Sequence, residues 1–346
     1  MVPPFTTPPV YPPAPPGKFA ATIQRSSPEL LDQPLGAPDV SKCRVAILGL
    51  ADDTGVVMNH GRPGARDGPA TFRAALARYG VAARMSEARI GPSALVSEHG
   101  TSAFARPAYP HVFDAGDVIP GKSLSETHER VSAAALKLMQ HGLIVVGIGG
   151  GHDLTYPLVR ALHQFRREAG GAGGSGGAGG GETRPLVGVY ADAHLDVRAE
   201  PGSGMAFRAM IDHGYVGRLT NIGASWAVNA AEHAEWFAAN GGVFDEASSV
   251  DELLRGRERE LPWPDFVSLD VDVLDASAAP GVSAVNPAGM SARELERVAF
   301  AAGVCPRVRL IDIMEFNPVY DVDHRTARVV AHLFLSFLAG LAERRA

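Results

Sequence analysis

Short apolar runs alternate with longer stretches of helical periodicity along most of this chain. The apolar runs occupy residues 45–50, 111–113, 143–148, 186–190, 219–222, 266–269 and 308–313, with a weaker one at 242–244. Apolar positions recur at helical spacing over 70–78, 127–140, 156–167, 230–239 and, last, 326–344. Strands alternating with amphipathic helices predict an α/β fold with a mostly parallel sheet covered on both faces. In such sheets ligands bind beyond the carboxyl ends of the strands.

Two biased stretches interrupt the rhythm. Residues 1–42 carry Pro3-Pro4, Pro8-Pro9, Pro12-Pro13 and Pro15-Pro16. That density favours an extended, solvated backbone and predicts a disordered tail. Residues 170–181 are nearly all glycine and read as a flexible surface loop. Strand–helix alternation resumes after them, so the loop is an insertion within one domain spanning 43–346.

Composition narrows the classes of function. The 346 residues are 46% hydrophobic and 20% charged, enough to bury a core without staples. The 32 Lys and Arg against 38 Asp and Glu give a formal charge of -6. No basic run suits a phosphate backbone, so no nucleic-acid partner is expected. Cys43 and Cys305, the two cysteines, cannot build a disulfide framework. With no apolar run of membrane-spanning length and no signal-peptide pattern, the sequence predicts a cytoplasmic protein without a membrane partner.

The chemistry sits where the apolar runs end. Run 143–148 leads into GGGHD at 149–153, and run 186–190 into ADAHLD at 191–196. Run 266–269 leads into DVD at 270–272, and run 308–313 into MEFNP at 314–318. Asp192, His194 and Asp196 are two apart, so an extended backbone would point all three to one side, and Asp270 and Asp272 repeat that spacing. Four carboxylates in a partly buried place repel one another and are costly to desolvate unpaired. No Lys or Arg cluster in these motifs neutralises them. Two divalent cations would, with His152 and His194 as neutral ligands. The oxygen-rich, thiolate-free set suits Mn2+, with Co2+, Ni2+, Fe2+ or catalytic Zn2+ as alternatives. Two such ions about 3.5–4 Å apart acidify a shared water, so hydroxide attack on an electrophilic carbon is the expected reaction. A phosphate-binding turn is the competing reading of the glycines. It fails, because His152 replaces the last glycine of the dinucleotide pattern and no GxxxxGK[ST] is present.

These motifs resemble those of the ureohydrolase family: arginase, agmatinase and formimidoylglutamase. The resemblance rests on GGGHD (149–153), DAHLD (192–196), SLDVDVLD (268–275) and EFNP (315–318), with NHGRPGARDGP (59–69) similar to the family's early region. It covers residues 43–346. It implies a three-layer α/β/α sandwich with an eight-stranded parallel sheet, two Mn2+ per chain and a homo-oligomer. It further implies that His152 and Asp196 hold one ion, His194 and Asp272 the other, and that Asp192 and Asp270 bridge both. Asp196 would also relay a proton from the bridging hydroxide to the leaving nitrogen. Glu315 would pair with the cationic guanidinium or amidinium group of the substrate.

Within the family, Val197-Arg198 followed by SGMAFR at 203–208 resembles the formimidoylglutamase form, DxR then SGTPFR. Met205 and Ala206 stand where that form has Thr and Pro. Arginase and agmatinase place a proton-transferring histidine near the position of Phe207, and none occurs here between Asp196 and Arg208. Arg198 and Arg208 suit an acidic substrate, because a guanidinium binds a carboxylate bidentately. Ser203 and Asn229 are further candidates for substrate contact. His213 and His324 are candidate shuttles, although a helix-end histidine is the plainer reading of each. The expected substrate is N-formimidoyl-L-glutamate, hydrolysed to L-glutamate and formamide. Three alternatives stay open: an arginase- or agmatinase-type hydrolase of another guanidino acid, a catalytically silent metal-stabilised subunit, and a single-zinc deacylase of related fold.

Overall fold

All six residues of Val45–Leu50 are buried, as a strand covered on both sides requires. In the computed structural model, which describes residues 2–26, 42–80, 109–171, 184–245 and 264–344, this strand lies in a ten-stranded sheet. In chain order the strands are β1 (Thr6–Thr7), β2 (Gln24–Arg25), β3 (Val45–Leu50), β4 (Val112–Val118) and β5 (Ile144–Ile148). Then come β6 (Leu186–Ala191), β7 (Val216–Ile222), β8 (Gly242–Asp245), β9 (Phe266–Asp270) and β10 (Leu310–Met314). Strands β3 to β10 run parallel in the order β4-β3-β5-β10-β9-β6-β7-β8. The expected eight parallel strands are all present.

The helices are α1 (Thr54–Met58), α2 (Gly68–Leu76), α3 (Leu124–Gln140), α4 (Thr155–Gly171), α5 (Ala206–Asp212), α6 (Ala231–Ala239), α7 (Ala292–Val304) and α8 (Arg325–Glu343). Alternate strand side chains feed two separate cores. Val45, Ile47, Val146 and Val267 pack with Phe72, Val298 and Phe334 of α2, α7 and α8. Ala46, Leu48, Val145 and Phe266 pack on the other face with Leu138, Leu158, Phe207 and Phe237 of α3 to α6. The result is a three-layer α/β/α sandwich. Helix α7 falls outside the periodic segments named above; its available signal was the capping box of Ser291 and Glu294. Helix α8, with 19 residues and mean hydropathy 1.3, is long and apolar enough to cross a membrane, which corrects the expectation that no stretch reaches that length. Its apolarity has a local cause, because 72% of its most apolar window is buried in the sandwich.

The tail departs from expectation. Residues 2–26 pack: β1 pairs antiparallel with β4 and β2 parallel with it, so the outer edge of the sheet is covered. Phe19 is buried, edge-on to Phe334 and Tyr109. The prolines hold the backbone extended, and Phe19, Ala20 and Ile23 supply the apolar surface that anchors it. Tyr11 donates to Asp114 Oδ2 at 2.6 Å, and the fully buried Arg73 binds both Asp114 and Asp117. That network explains why β4 runs on to Val118 through two aspartates, where the apolar run ended at 113. Residues 27–41 of the tail and 172–181 of the glycine-rich insertion lie outside the described residues; Gly170 and Gly171 end α4.

Candidate metal centre

Strands β5, β10, β9 and β6 are successive neighbours, and their carboxyl ends carry the four motifs. After β5, Gly150 takes φ 98°, and a Cβ there would fall 2.3 Å from the Leu50 carbonyl oxygen. Glycine at that point lets the chain turn tightly and place His152 at the head of a 3-10 turn. After β6, Asp192 Oδ1 accepts from the His194 N–H at 2.7 Å, and Asp196 takes φ 48°. After β9, Asp270 Oδ1 accepts from the Asp272 N–H at 2.8 Å, opening a 3-10 turn over Val271–Val273. Tight turns therefore bring these residues together, and the expected extended backbone is corrected. The physical reason is that an aspartate at a strand end bonds the N–H two residues on and bends the chain. Glu315 follows β10 with φ 60° and donates its N–H to Gly150 at 3.0 Å. Asp196 and Glu315 are thus both held in the left-handed region, a strain that concentrates at functional positions.

All six candidate ligands converge. His152 Nδ1 lies 3.1 Å from Asp192 Oδ2, 2.9 Å from Asp196 Oδ2 and 3.1 Å from Asp270 Oδ2. His194 Nδ1 lies 3.5 Å from Asp192 Oδ1 and 3.2 Å from Asp272 Oδ2. Two ligand groups result, His152–Asp192–Asp196 and Asp192–His194–Asp272, sharing Asp192. Buried His152 Nδ1, Asp192 Oδ2 and Asp272 Oδ1 have no hydrogen-bond partner among the described residues. Such atoms are costly to bury unless something else satisfies them.

The other side of the His152 ring shows what that is. Ser268 Oγ donates to Asp312 Oδ1 at 2.5 Å, so its single proton is committed. Its contact with His152 Nε2 at 2.9 Å then makes Nε2 the donor. In the neutral ring the Nδ1 lone pair is left facing three carboxylates, an arrangement that a proton on the ring or a metal cation between the groups relieves. The titration behaviour points the same way. Against the effect of burial, the surrounding aspartates raise both His152 and His194 above the usual imidazole range. Burial pushes Asp270 well above the carboxylate range, reinforced by Asp272 and Asp192. Asp192 goes the other way: burial is outweighed by the two imidazoles, and it falls to about 2. Burial pushes Glu315 up to about 8, with Oε1 held by the His152 N–H at 2.9 Å. Among the described residues, no Lys or Arg forms a salt bridge to this cluster. The donor set fits two divalent cations.

The substrate candidates are less uniform. Arg198 lies at the exposed rim, where its NH1 donates to Asn59 Oδ1 at 2.7 Å, and Asn59 Nδ2 reaches Ser203 Oγ at 3.3 Å. Arg208 is engaged elsewhere, over the Trp236 ring and beside Asp212. Asn229 spends its amide on bracing the loop after β6: it accepts from the Leu195 N–H and donates to the Ala193 and Ser225 carbonyls. Both amide protons are thus committed to backbone, and one lone pair of the oxygen remains. His213 bonds the Ala209 carbonyl and stacks on Tyr215, a helix-end histidine, and His324 opens α8 in the left-handed region. Sequence reasoning missed Ser268, Asp312 and Asn59. Ser268 stands two before Asp270 and is paired with Asp312 across β9 and β10. A hydroxyl and a carboxylate inside two apolar runs were the signal.

The fold and the centre together define a class, the ureohydrolases, which hydrolyse C–N bonds in linear amidines. The sequence model of the arginase family matches residues 43–340, and the chain belongs to that family. It is 31% identical over 319 residues to a formimidoylglutamase of Ralstonia nicotianae, covering 87% of this chain and 86% of the relative. It is 32% identical over 306 residues to a formimidoylglutamase of Nocardia farcinica, covering 86% of each. The crystal structure of Trypanosoma cruzi formiminoglutamase with Mn2+ superposes with a TM-score of 0.71 at 27% identity, over 90% of this chain and 97% of the other.

Proposed function

We propose that this chain is a dinuclear-metal hydrolase of N-formimidoyl-L-glutamate, yielding L-glutamate and formamide. The observation that carries the metal chemistry is His152 Nδ1, an unpartnered lone pair within 3.1 Å of three carboxylates. His152 and Asp196 would hold one cation, His194 and Asp272 the other, with Asp192 and Asp270 between them. When bound, two divalent cations, Mn2+ first among them, supply Lewis acidity and lower the pKa of water toward neutrality.

The chain's own residues do the rest. Asp196, at the rim side of His152, accepts the proton of the attacking water at a carboxylate oxygen. Water oxygen bonds the amidine carbon, Asp196 returns the proton to the glutamate nitrogen, the bond from the carbon to that nitrogen breaks, and the remaining hydroxyl proton passes to the departing amine as the formamide carbonyl forms. Glu315, one oxygen fixed by the His152 N–H, pairs with the amidinium and orients its carbon. Arg198 and Ser203 meet the acidic end of the substrate.

The specificity is supported by relatives that are named formimidoylglutamases. A guanidino acid is the second reading, because Met205 and Ala206 depart from the Thr and Pro of the formimidoylglutamase form. The test is a substrate panel after Mn2+ loading. Formamide release from N-formimidoyl-L-glutamate is expected to exceed urea release from L-arginine or agmatine. The reverse ranking sinks the first reading. A homo-oligomer in the cytoplasm belongs to the same proposal, tested by light scattering and cell fractionation.

A further inference from the structure

Asn59 belongs to none of the motifs that hold the metal centre, yet it ties the end of α1 to two residues of the 198–204 loop. It follows α1, and its backbone N–H is fixed on the Gly55 carbonyl at 3.1 Å. Its Oδ1 accepts from Arg198 NH1 at 2.7 Å and its Nδ2 donates to Ser203 Oγ at 3.3 Å. The segment between those partners is shaped to fit. Gly202 takes φ 151°, and a Cβ there would lie 3.4 Å from Asn59 Cβ. A Cβ on Gly204 would lie 3.1 Å from Cδ of Arg198, so the arginine stem lies across that glycine. The Arg198 N–H also bonds the Gly204 carbonyl at 2.8 Å.

An exposed arginine ordinarily samples many rotamers and loses that freedom when it grips a ligand. Here the stem is pressed on Gly204 and one N–H is tied to Asn59, while a guanidinium has five. The remaining donors can still form a fork for a carboxylate. Asn59 does this without charge, so the positive charge of Arg198 stays available to an anion.

We infer that Asn59 is a positioning residue: its side-chain amide holds Arg198 and Ser203 in place for the carboxylate end of an acidic amidine. The inference rests on the proposed function, and its test separates the two. Two substrates are compared with the Mn2+-loaded full chain: N-formimidoyl-L-glutamate and N-butylformamidine, a neutral-tailed amidine without carboxylates. N59A is expected to raise KM for the acidic substrate about tenfold, or ~1.4 kcal/mol, with kcat within about twofold, while kcat/KM for the neutral amidine changes little. N59D keeps an acceptor for Arg198 but sets a negative charge against its guanidinium, so KM for the acidic substrate is expected to rise at least as far. Equal losses on both substrates show a merely structural residue and overturn the role. So does an unchanged KM for the acidic substrate in either variant. A wild-type chain that hydrolyses neither amidine fails the proposed function itself, and the role falls with it.

Discussion

Nε2 of His152 lies 2.9 Å from the hydroxyl of Ser268, and this contact decides which nitrogen of the ring meets the carboxylates. Because Ser268 gives its proton to Asp312, it can only accept from His152, and the nitrogen left to face the carboxylates is Nδ1. Asp312 is fully buried and raised by burial to about 6, so at neutral pH it is charged and able to accept. A relay of three side chains on β9, β10 and the His152 turn therefore orients the imidazole before any cation arrives.

Removing the middle of that relay should weaken metal binding without unfolding the protein. In S268A the ring is free to rotate or change tautomer, and Mn2+ affinity is expected to fall about 10–100-fold. Isothermal titration with Mn2+ measures this directly. Unaltered affinity would show that the relay does not set the ring.

Asp270 is expected to be indispensable for a second reason. Its Oδ2 faces His152 Nδ1 at 3.1 Å while its Oδ1 holds the Asp272 N–H, so it couples one ligand group to the turn that carries the other. D270N should lose activity and bound metal while keeping its circular dichroism spectrum. A variant that still carries two ions per chain by elemental analysis would contradict a position between them.

Stripping the metal should expose an unusual dependence on pH. Glu315, pushed up to about 8 by burial, carries a proton in the folded chain at pH values where the unfolded chain, near pKa ~4.3, has lost it. The folded state then binds more protons, so stability falls as pH rises from about 4 toward about 8. Asp270, also raised, adds the same sign, as do the raised His152 and His194 above ~6.5. Asp192, lowered to about 2, contributes stability that is present above ~3.9 and lost only as pH falls through its folded value. Chelator-treated protein should therefore show a lower Tm at pH 8 than at pH 5, and Mn2+ should raise Tm more at pH 8, where ligands release protons easily. A chelated Tm that climbs across that interval would count against the charge balance described here.

How much of this was readable in advance depended on the range of the interactions. The strands of the central sheet showed as apolar runs because burial on both faces leaves no choice of residue. The six candidate ligands showed because a carboxylate or imidazole just past such a run has few structural uses. Residues whose meaning lies in a distant partner did not show. Asp114 looked like the end of an apolar run, since its buried partner Arg73 is 41 positions away. The packing of residues 2–26 was hidden likewise, because the edge of β4 that they cover is formed about a hundred residues later. Asn229 looked free for the opposite reason: a loop amide gives no sign of the backbone groups it will satisfy.

The contact between α7 and α8 offers a test of the core. A Cβ on Gly340 would fall 2.0 Å from the Phe300 carbonyl oxygen, and backbone cannot swing aside as a side chain can. G340A should gain slightly in helix propensity yet lose about 1–3 kcal/mol overall as the helices are forced apart. Denaturant unfolding measures the balance, and a stabilised variant would show that the two helices are not in such close contact.

Arg198 and Arg208 make the sharpest contrast among the substrate candidates, because the same chemistry placed them together in sequence. Arg208 lies with its guanidinium 4.6 Å from the centre of the Trp236 ring and its Nε beside Asp212. Arg198 is held at the rim by Asn59, a neutral partner that does not itself offset the charge. A hydrogen bond to a charged group contributes enough to binding that its loss corresponds to about 10–100-fold in affinity. R198A is therefore expected to raise KM for an acidic amidine by about that factor, with kcat much less affected. R208A should change KM for the same substrate by less than about threefold, since its aromatic and carboxylate partners already occupy it. Steady-state kinetics on the two variants side by side decides the matter. If R208A shows the larger rise in KM, Arg208 must leave Trp236 to reach the substrate, and the rim residue is the wrong arginine.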